Sequence, residues 1–269
     1  MITSKDHGTV SVRGAELAYT NIGSGPAVIV AHGLTSSRAS NQKSGLLDMS
    51  AVAEAGYTVI SYDARGHGES TGTPDPDDYL WTALADDLLG FADAVVGDDH
   101  FSLIGSSMGT ATGIFAALKQ PDRIAALVLT APPTAWQTRA AQAELYRTMA
   151  DAVERNDQEA VAELLESSAQ PEIFAALGAE PLTPDITPEL MPAILRGAAA
   201  TDLPPLSQIA TIGQQTLLLP WATDPGHPVS TATALAEAMI NSRLRIAHTA
   251  EQVQQYGDWS AAFLREVVG

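Results

Sequence analysis

Gly105-Ser106-Ser107-Met108-Gly109 fits the pattern G-x-S-x-G and lies between two segments of different periodicity. Upstream, His100-Phe101-Ser102-Leu103-Ile104 reads as a short buried strand. Downstream, residues 110–119 are rich in alanine, carry Ile114, Phe115 and Leu118 at helical spacing, and stop before Pro121. A serine on so sharp a strand-to-helix turn is expected to project from the carboxyl edge of a sheet. Its Oγ is then exposed, and the first N–H groups of the helix point at any oxyanion formed there. Glycine at 105 and 109 has a steric reason, since a side chain at either would clash where helix and strand close on the turn. The pentapeptide alone recurs by chance, and its place between strand and helix is what makes it informative.

Working outward, Ala27-Val28-Ile29-Val30-Ala31 is a continuous apolar run that ends in His32-Gly33-Leu34-Thr35. Residues 57–62 form another, ending in Asp63-Ala64-Arg65-Gly66-His67-Gly68-Glu69-Ser70. After the serine turn and its helix, Pro121-Asp122-Arg123-Ile124 leads into Leu127-Val128-Leu129. This order resembles the α/β-hydrolase superfamily, in particular its esterase, lactonase and C–C hydrolase branch, over most of residues 8–132 and again from about residue 213. The fold so implied is α/β: a mostly parallel twisted sheet with flanking helices and an inserted helical cap. Residues 1–132 and 213–269 would form the core and 133–212 the cap. The resemblance also implies that Ser107 is the nucleophile and that the backbone N–H groups of Leu34 and Met108 form the oxyanion hole.

The bulk properties agree with such a chain. At 269 residues it can bury one large core, and 14 Lys+Arg against 32 Asp+Glu give a net charge of −18. That balance argues against nucleic acid and anionic membrane surfaces as partners. The absence of cysteine excludes a disulfide, a thiolate metal site and a cysteine nucleophile. Met1-Ile2-Thr3-Ser4-Lys5-Asp6-His7-Gly8 has no apolar stretch of the kind that directs secretion, and no run approaches membrane-spanning length. The expectation is a cytoplasmic location, a small-molecule partner, no metal and no cofactor, with the oligomeric state left open.

Short apolar strands alternate with helical patterns, as in a mostly parallel sheet. Val10-Ser11-Val12 and Leu17-Ala18-Tyr19 alternate around Gly14 and suggest an opening antiparallel hairpin, and Thr73-Pro74-Asp75-Pro76-Asp77 reads as a loop. Leu80, Leu84, Leu88, Phe91 and Val95 mark one face of a helix, with Asp86, Asp87 and Asp93 read as its solvated side rather than as metal ligands. The pattern breaks between Pro132-Pro133 and Gly213. There Leu145, Met149, Ala152 and Val153 share one helix face and Val161, Leu164 and Leu165 another, while Pro171, Pro181, Pro184 and Pro188 punctuate the rest. A helical insertion after a core strand looks like the family's cap, which would roof the pocket and choose the substrate. Thr216-Leu217-Leu218-Leu219 then restores a strand. Leu244-Arg245-Ile246-Ala247 supplies the last, ahead of a closing helix through Phe263, Leu264 and Val267.

A serine nucleophile needs a base that takes its proton and an acid that holds the imidazole in one tautomer. The family's chain order places the acid after the Thr216–Leu219 strand and the histidine after the last one. Trp221-Ala222-Thr223-Asp224-Pro225-Gly226-His227-Pro228 resembles the acid loop and makes Asp224 the candidate acid. Ile246-Ala247-His248-Thr249 holds a histidine in the segment where relatives carry Gly-His, but without the glycine and with hardly any loop. His248 is the expected base and His227 the alternative, the criterion being hydrogen-bond reach to the serine. His32 and His67 belong to backbone-shaping turns, and His7 and His100 look peripheral. Arg65 is expected to tether neighbouring loops. Trp136 and Arg139, at the entrance of the helical insertion, are candidate substrate contacts, with Arg139 able to take a carboxylate in bidentate fashion; the competing reading is that both anchor a cap helix. The glycines of Asn21-Ile22-Gly23-Ser24-Gly25-Pro26 make a turn, without the following helix that a phosphate site needs.

The expected function is therefore a serine hydrolase cleaving a small or medium carboxylic ester or lactone through an acyl-enzyme on Ser107. Epoxide hydrolase and haloalkane dehalogenase chemistry on this fold uses an aspartate at the same turn, so Ser107 speaks against both. C–C bond or thioester hydrolysis on the same scaffold stays open, as does a non-catalytic ligand receptor with a degenerate triad.

Overall fold

The computed structural model describes residues 6–45, 48–167, 171–175 and 183–268. Met1–Lys5 and Pro181, used in the reading above, lie outside them. Eight strands form a single sheet: β1 (Asp6–Val12), β2 (Ala15–Gly23), β3 (Ala27–Ala31), β4 (Thr58–Tyr62), β5 (Phe101–Ser106), β6 (Ile124–Thr130), β7 (Gln215–Leu219) and β8 (Ser242–Leu244). Their order is β1-β2-β4-β3-β5-β6-β7-β8. The β1–β2 and β2–β4 pairs are antiparallel and all others parallel. The opening hairpin turns at Arg13 and Gly14, both at positive φ (45° and 79°), the backbone that lets two twisted strands join tightly.

The twelve α-helices among the described residues are α1 (Arg38–Ser44), α2 (Ser50–Glu54), α3 (Trp81–Val95), α4 (Met108–Lys119), α5 (Arg139–Glu154), α6 (Gln158–Ser167), α7 (Glu172–Ala175), α8 (Met191–Ala199), α9 (Leu206–Ile209), α10 (Val229–Ala238), α11 (Ala250–Gln254) and α12 (Tyr256–Val267). Strand side chains alternate across the sheet, so one apolar run supplies two cores. Ile29, Leu103, Leu127, Leu129 and Leu218 pack with Leu84, Leu88, Phe91 and Ile114 on one face. Val28, Val30, Ile104, Val128, Leu217 and Leu219 pack with Val52, Tyr256, Phe263 and Leu264 on the other. Every residue of β5 is buried, as a strand covered on both faces requires.

Two sequence expectations are corrected. The last strand ends at Leu244, and Ala247 joins the sheet only through an isolated bridge to Trp221. Asp87 is buried among the apolar residues of α3, where its carboxylate receives Arg65 Nε (2.7 Å) and Nη2 (2.8 Å) and also Arg13 Nη1 (2.9 Å). Arg65 in turn donates to Arg13 O (3.1 Å), so it ties the hairpin turn to α3. Asp86 and Asp93 lie at the surface, paired with Lys119 and Arg123.

Between β6 and β7 the described residues are helical or irregular and include no strand. This segment seats on the core by close contact: a Cβ on Gly197 would stand 2.5 Å from Pro76 O and 2.6 Å from Tyr79 Cβ. Leu34 packs against the Tyr79–Ala193–Ile194 cluster and against Met149, Ala150 and Leu195. The loop after β3 thus sits directly beneath α5 and α8.

Candidate active site

Ser107 lies between β5 and α4 with φ 52° and ψ −109°, a backbone region that a residue with a side chain rarely adopts. The two glycines permit the turn. A Cβ at Gly105 would collide with Gly109 O, and one at Gly109 would collide with Ala31 O. Thr110 locks the first turn of α4, its single Oγ1 proton lying within reach of both Gly105 O (2.9 Å) and Thr130 O (2.8 Å). Ser107 N–H also donates to Thr130 O (3.1 Å), which fixes the serine over the carboxyl end of β6.

The loop after β3 closes on the same point. A Cβ at Gly33 would lie 3.4 Å from Ser107 Cβ, so Leu34 follows a backbone already in contact with the serine. Met108 is the first residue of α4, whose leading N–H groups have no partner within the helix. His32 holds this loop: its Nδ1–H donates to Gly33 O (2.8 Å) and its Nε2 accepts from Ala64 N–H (2.9 Å). His32 and His67 are both buried, whereas His7 and His100 are exposed, as the sequence suggests.

His227, and not His248, reaches the serine. The Ser107 hydroxyl donates to His227 Nε2 (2.8 Å), and His227 Nδ1–H donates to Asp224 Oδ2 (2.7 Å), which fixes the tautomer. His248 is exposed just beyond the bridge to Trp221. Its backbone N–H donates to Gln252 Oε1 (2.7 Å), and the next residue, Thr249, caps α11. The segment expected to deliver the base therefore leads straight into a helix at the surface.

Asp224 and His227 stand only three residues apart, on one turn. Thr223 takes a left-handed backbone (φ 66°), and the Asp224 side chain curls back over the residues that follow it. Its Oδ1 accepts the N–H groups of Gly226 (2.8 Å) and His227 (3.2 Å). Its Oδ2 accepts His227 Nδ1–H and also the indole N–H of Trp221 (2.7 Å). Burial pushes the Asp224 carboxyl up, but the hydrogen bond and charge of His227, the Trp221 indole and the Gly226 N–H outweigh it and hold the group below the usual carboxylate range. The loop is pinned from two sides: Thr134 N–H donates to Gly226 O (3.2 Å), and Ala222 N–H donates to Ala247 O (2.9 Å).

Trp136 and Arg139 are engaged by protein partners. Trp136 donates its indole N–H to Pro204 O (3.0 Å) and its backbone N–H to Asp202. Arg139, 5% exposed, donates to Thr201 O (2.9 Å), Thr134 Oγ1 (3.2 Å) and Ala198 O, and its guanidinium lies 4.4 Å from the Trp81 ring centroid. The hydrogen bonds of both run within the helical segment, to residues 198–204 and Thr134, and Arg139 also reaches the core, over the Trp81 ring. Three residues near the relay have no role in the sequence reading: Trp221 beneath Asp224, Thr134 against the acid loop, and Tyr146 of α5, whose burial pushes its hydroxyl up and which is close enough to feel the Asp224 charge.

The family model for the alpha/beta hydrolase fold matches residues 26–187, and the chain belongs to that family. It is 35% identical over 123 residues to "Epoxide hydrolase 2" of Siraitia grosvenorii, a match covering 46% of this chain and 37% of that protein's length. The match thus spans well under half of the curated relative. Among solved structures, a hydrolase from Pseudomonas aeruginosa superimposes with TM-score 0.79 at 24% identity, covering 96% of this chain and 98% of the other. An esterase from Exiguobacterium antarcticum superimposes with TM-score 0.77 at 17% identity, covering 97% and 100%. At these identities the structural likenesses establish the fold.

Proposed function

We propose that the protein is a serine hydrolase of small or medium carboxylic esters or lactones, acting through an acyl-enzyme on Ser107. The observation that carries this reading is the continuous relay Ser107–His227–Asp224, with bonds of 2.8 and 2.7 Å at a strained turn. His227 takes the serine proton as Oγ attacks the carbonyl carbon, and Asp224 stabilises the imidazolium that results. The Leu34 and Met108 amides receive the oxyanion. His227 then protonates the leaving alkoxide, and water, deprotonated by the same histidine, releases the acid and restores the serine. Residues 133–212 act as the cap over this site.

A carboxylate nucleophile, as epoxide opening on this fold requires, is absent from position 107, and the assembled relay favours an enzyme over a ligand receptor. The test is labelling by a fluorophosphonate together with turnover of an ester and lactone panel. Wild type and Ser106→Ala are expected to label and turn over. Ser107→Ala is expected to do neither, with turnover at least about 10³-fold lower. Labelling that survives Ser107→Ala overturns the reading.

A further inference from the structure

Trp221 stands in an unusual relation to the relay. Of the four hydrogen bonds that the Asp224 carboxylate accepts, three come from its own turn: the two backbone N–H groups and the His227 ring. The fourth comes from the Trp221 indole, which is fixed just past the end of β7. Acid and base therefore move as one unit, and the Trp221 bond holds the carboxylate of that unit to the sheet edge. The indole itself is 8% exposed and closely bounded. Phe174 of α7 meets it edge-on at 5.2 Å, Tyr256 of α12 stacks at 6.4 Å, and the His227 ring lies at 5.8 Å. The segment carrying Phe174 is held to the same loop, since Ile173 N–H donates to Thr223 Oγ1 (3.2 Å).

An ionised carboxylate offers about four acceptor positions, and all four are filled here. The Trp221 and His227 ring donors share one oxygen, so each weakens the hold of that oxygen on the other. We propose that Trp221 is a positioning residue for the relay, holding the Asp224–His227 unit against the sheet and moderating how strongly the carboxylate retains a proton on the imidazole. This rests on the serine-hydrolase reading for its catalytic consequence, and on the resting geometry for its structural one. Removing the indole donor leaves a more basic carboxylate, which favours the imidazolium. The base then becomes free to accept the serine proton only at higher pH. The other groups facing the pair are Ser107 at the turn before α4 and Tyr146 of α5, with Arg139 behind it; the Tyr256 hydroxyl, which burial pushes up, stays neutral throughout.

The experiment compares wild type, Trp221→Phe and Phe174→Leu. The first variant keeps an aromatic ring and loses the donor. The second loosens the same cluster and keeps the donor. The His227 ring titration, followed by NMR on the resting protein, is expected to move up by about half a unit to one unit in Trp221→Phe and to stay in place in Phe174→Leu. The acid limb of the kcat/KM profile should move with it, and kcat should fall about tenfold with KM little changed. Should Trp221→Phe fail to fold, the sulfur isostere β-(3-benzothienyl)alanine at position 221 removes the N–H at nearly constant shape and gives the same comparison. An unmoved titration in the donor-less protein overturns the proposal, as does an equal shift in Phe174→Leu. The NMR readout needs no turnover, so a failed fluorophosphonate test and a failed Trp221 test remain distinguishable.

Discussion

At the scale of single residues, the choice between two histidines turns on a loop that folds back on itself. A spacing of three residues looks too short for an aspartate to support an imidazole from behind while the ring faces a serine. The left-handed Thr223 and the curled Asp224 side chain remove that objection. His227→Ala is therefore expected to lower kcat by about 10³-fold or more, whereas His248→Ala leaves it near wild type; steady-state kinetics on any accepted ester decides between them. Collapse in His248→Ala alone would restore the base to the end of the last strand. Ser107 and Asp224 are legible as candidates because local signals mark them: two glycines of steric necessity, and an acid just past a buried strand. His227 ranks second on sequence because its reach to Ser107 depends on how two distant loops close, which no spacing along the chain encodes.

At the scale of elements, strands and helices follow from periodicity, and the departures have physical causes. Asp87 lies three residues after Leu84 and four before Phe91, so helical geometry places it on the apolar side of α3. Its charge suggests solvent, but Arg65 and Arg13 supply the partners that make burial tolerable. Asp87→Asn would leave Arg65, 1% exposed, without a full countercharge, and is expected to cost about 3–5 kcal/mol in thermal or urea unfolding. The double substitution Asp87→Leu with Arg65→Met should recover part of that loss, since no buried charge then remains unpaired. A loss equal to the sum of the single variants would show that the two residues act independently. The end of the last strand departs from its pattern for a related reason: the apolar residues after Leu244 belong to a bridge and the approach to a helix cap rather than to a continuous ladder.

At the scale of the whole molecule, two buried imidazoles connect stability to pH. His67 is pushed down to about 3, chiefly by burial and further by neighbouring His32, against a hydrogen bond to Arg65 O; His32 is lowered mainly by burial. Their rings lie 5.1 Å apart. Below about pH 6.5 the unfolded chain binds protons that the native state refuses, so stability falls as pH drops from 6.5 toward 3. For His67 the slope approaches about 1.4 kcal/mol per pH unit well below 6.5. Urea midpoints measured from pH 7 to 4 should fall less steeply in His67→Phe than in wild type, even if that variant starts from lower stability. Equal slopes would show that His67 does not carry the acid sensitivity.

Placing acid and base on one turn has a consequence for how the chain is constrained along its length. On the reading proposed here, every reacting side chain is in hand by residue 227. The segment beyond it contributes β8, the backbone carbonyl of Ala247 that receives Ala222 N–H, and the apolar face of α12, but no reacting group. The demands on the carboxyl end are then those of packing rather than of chemistry: what that segment must keep is shape, and His248, exposed past the last strand, answers to neither.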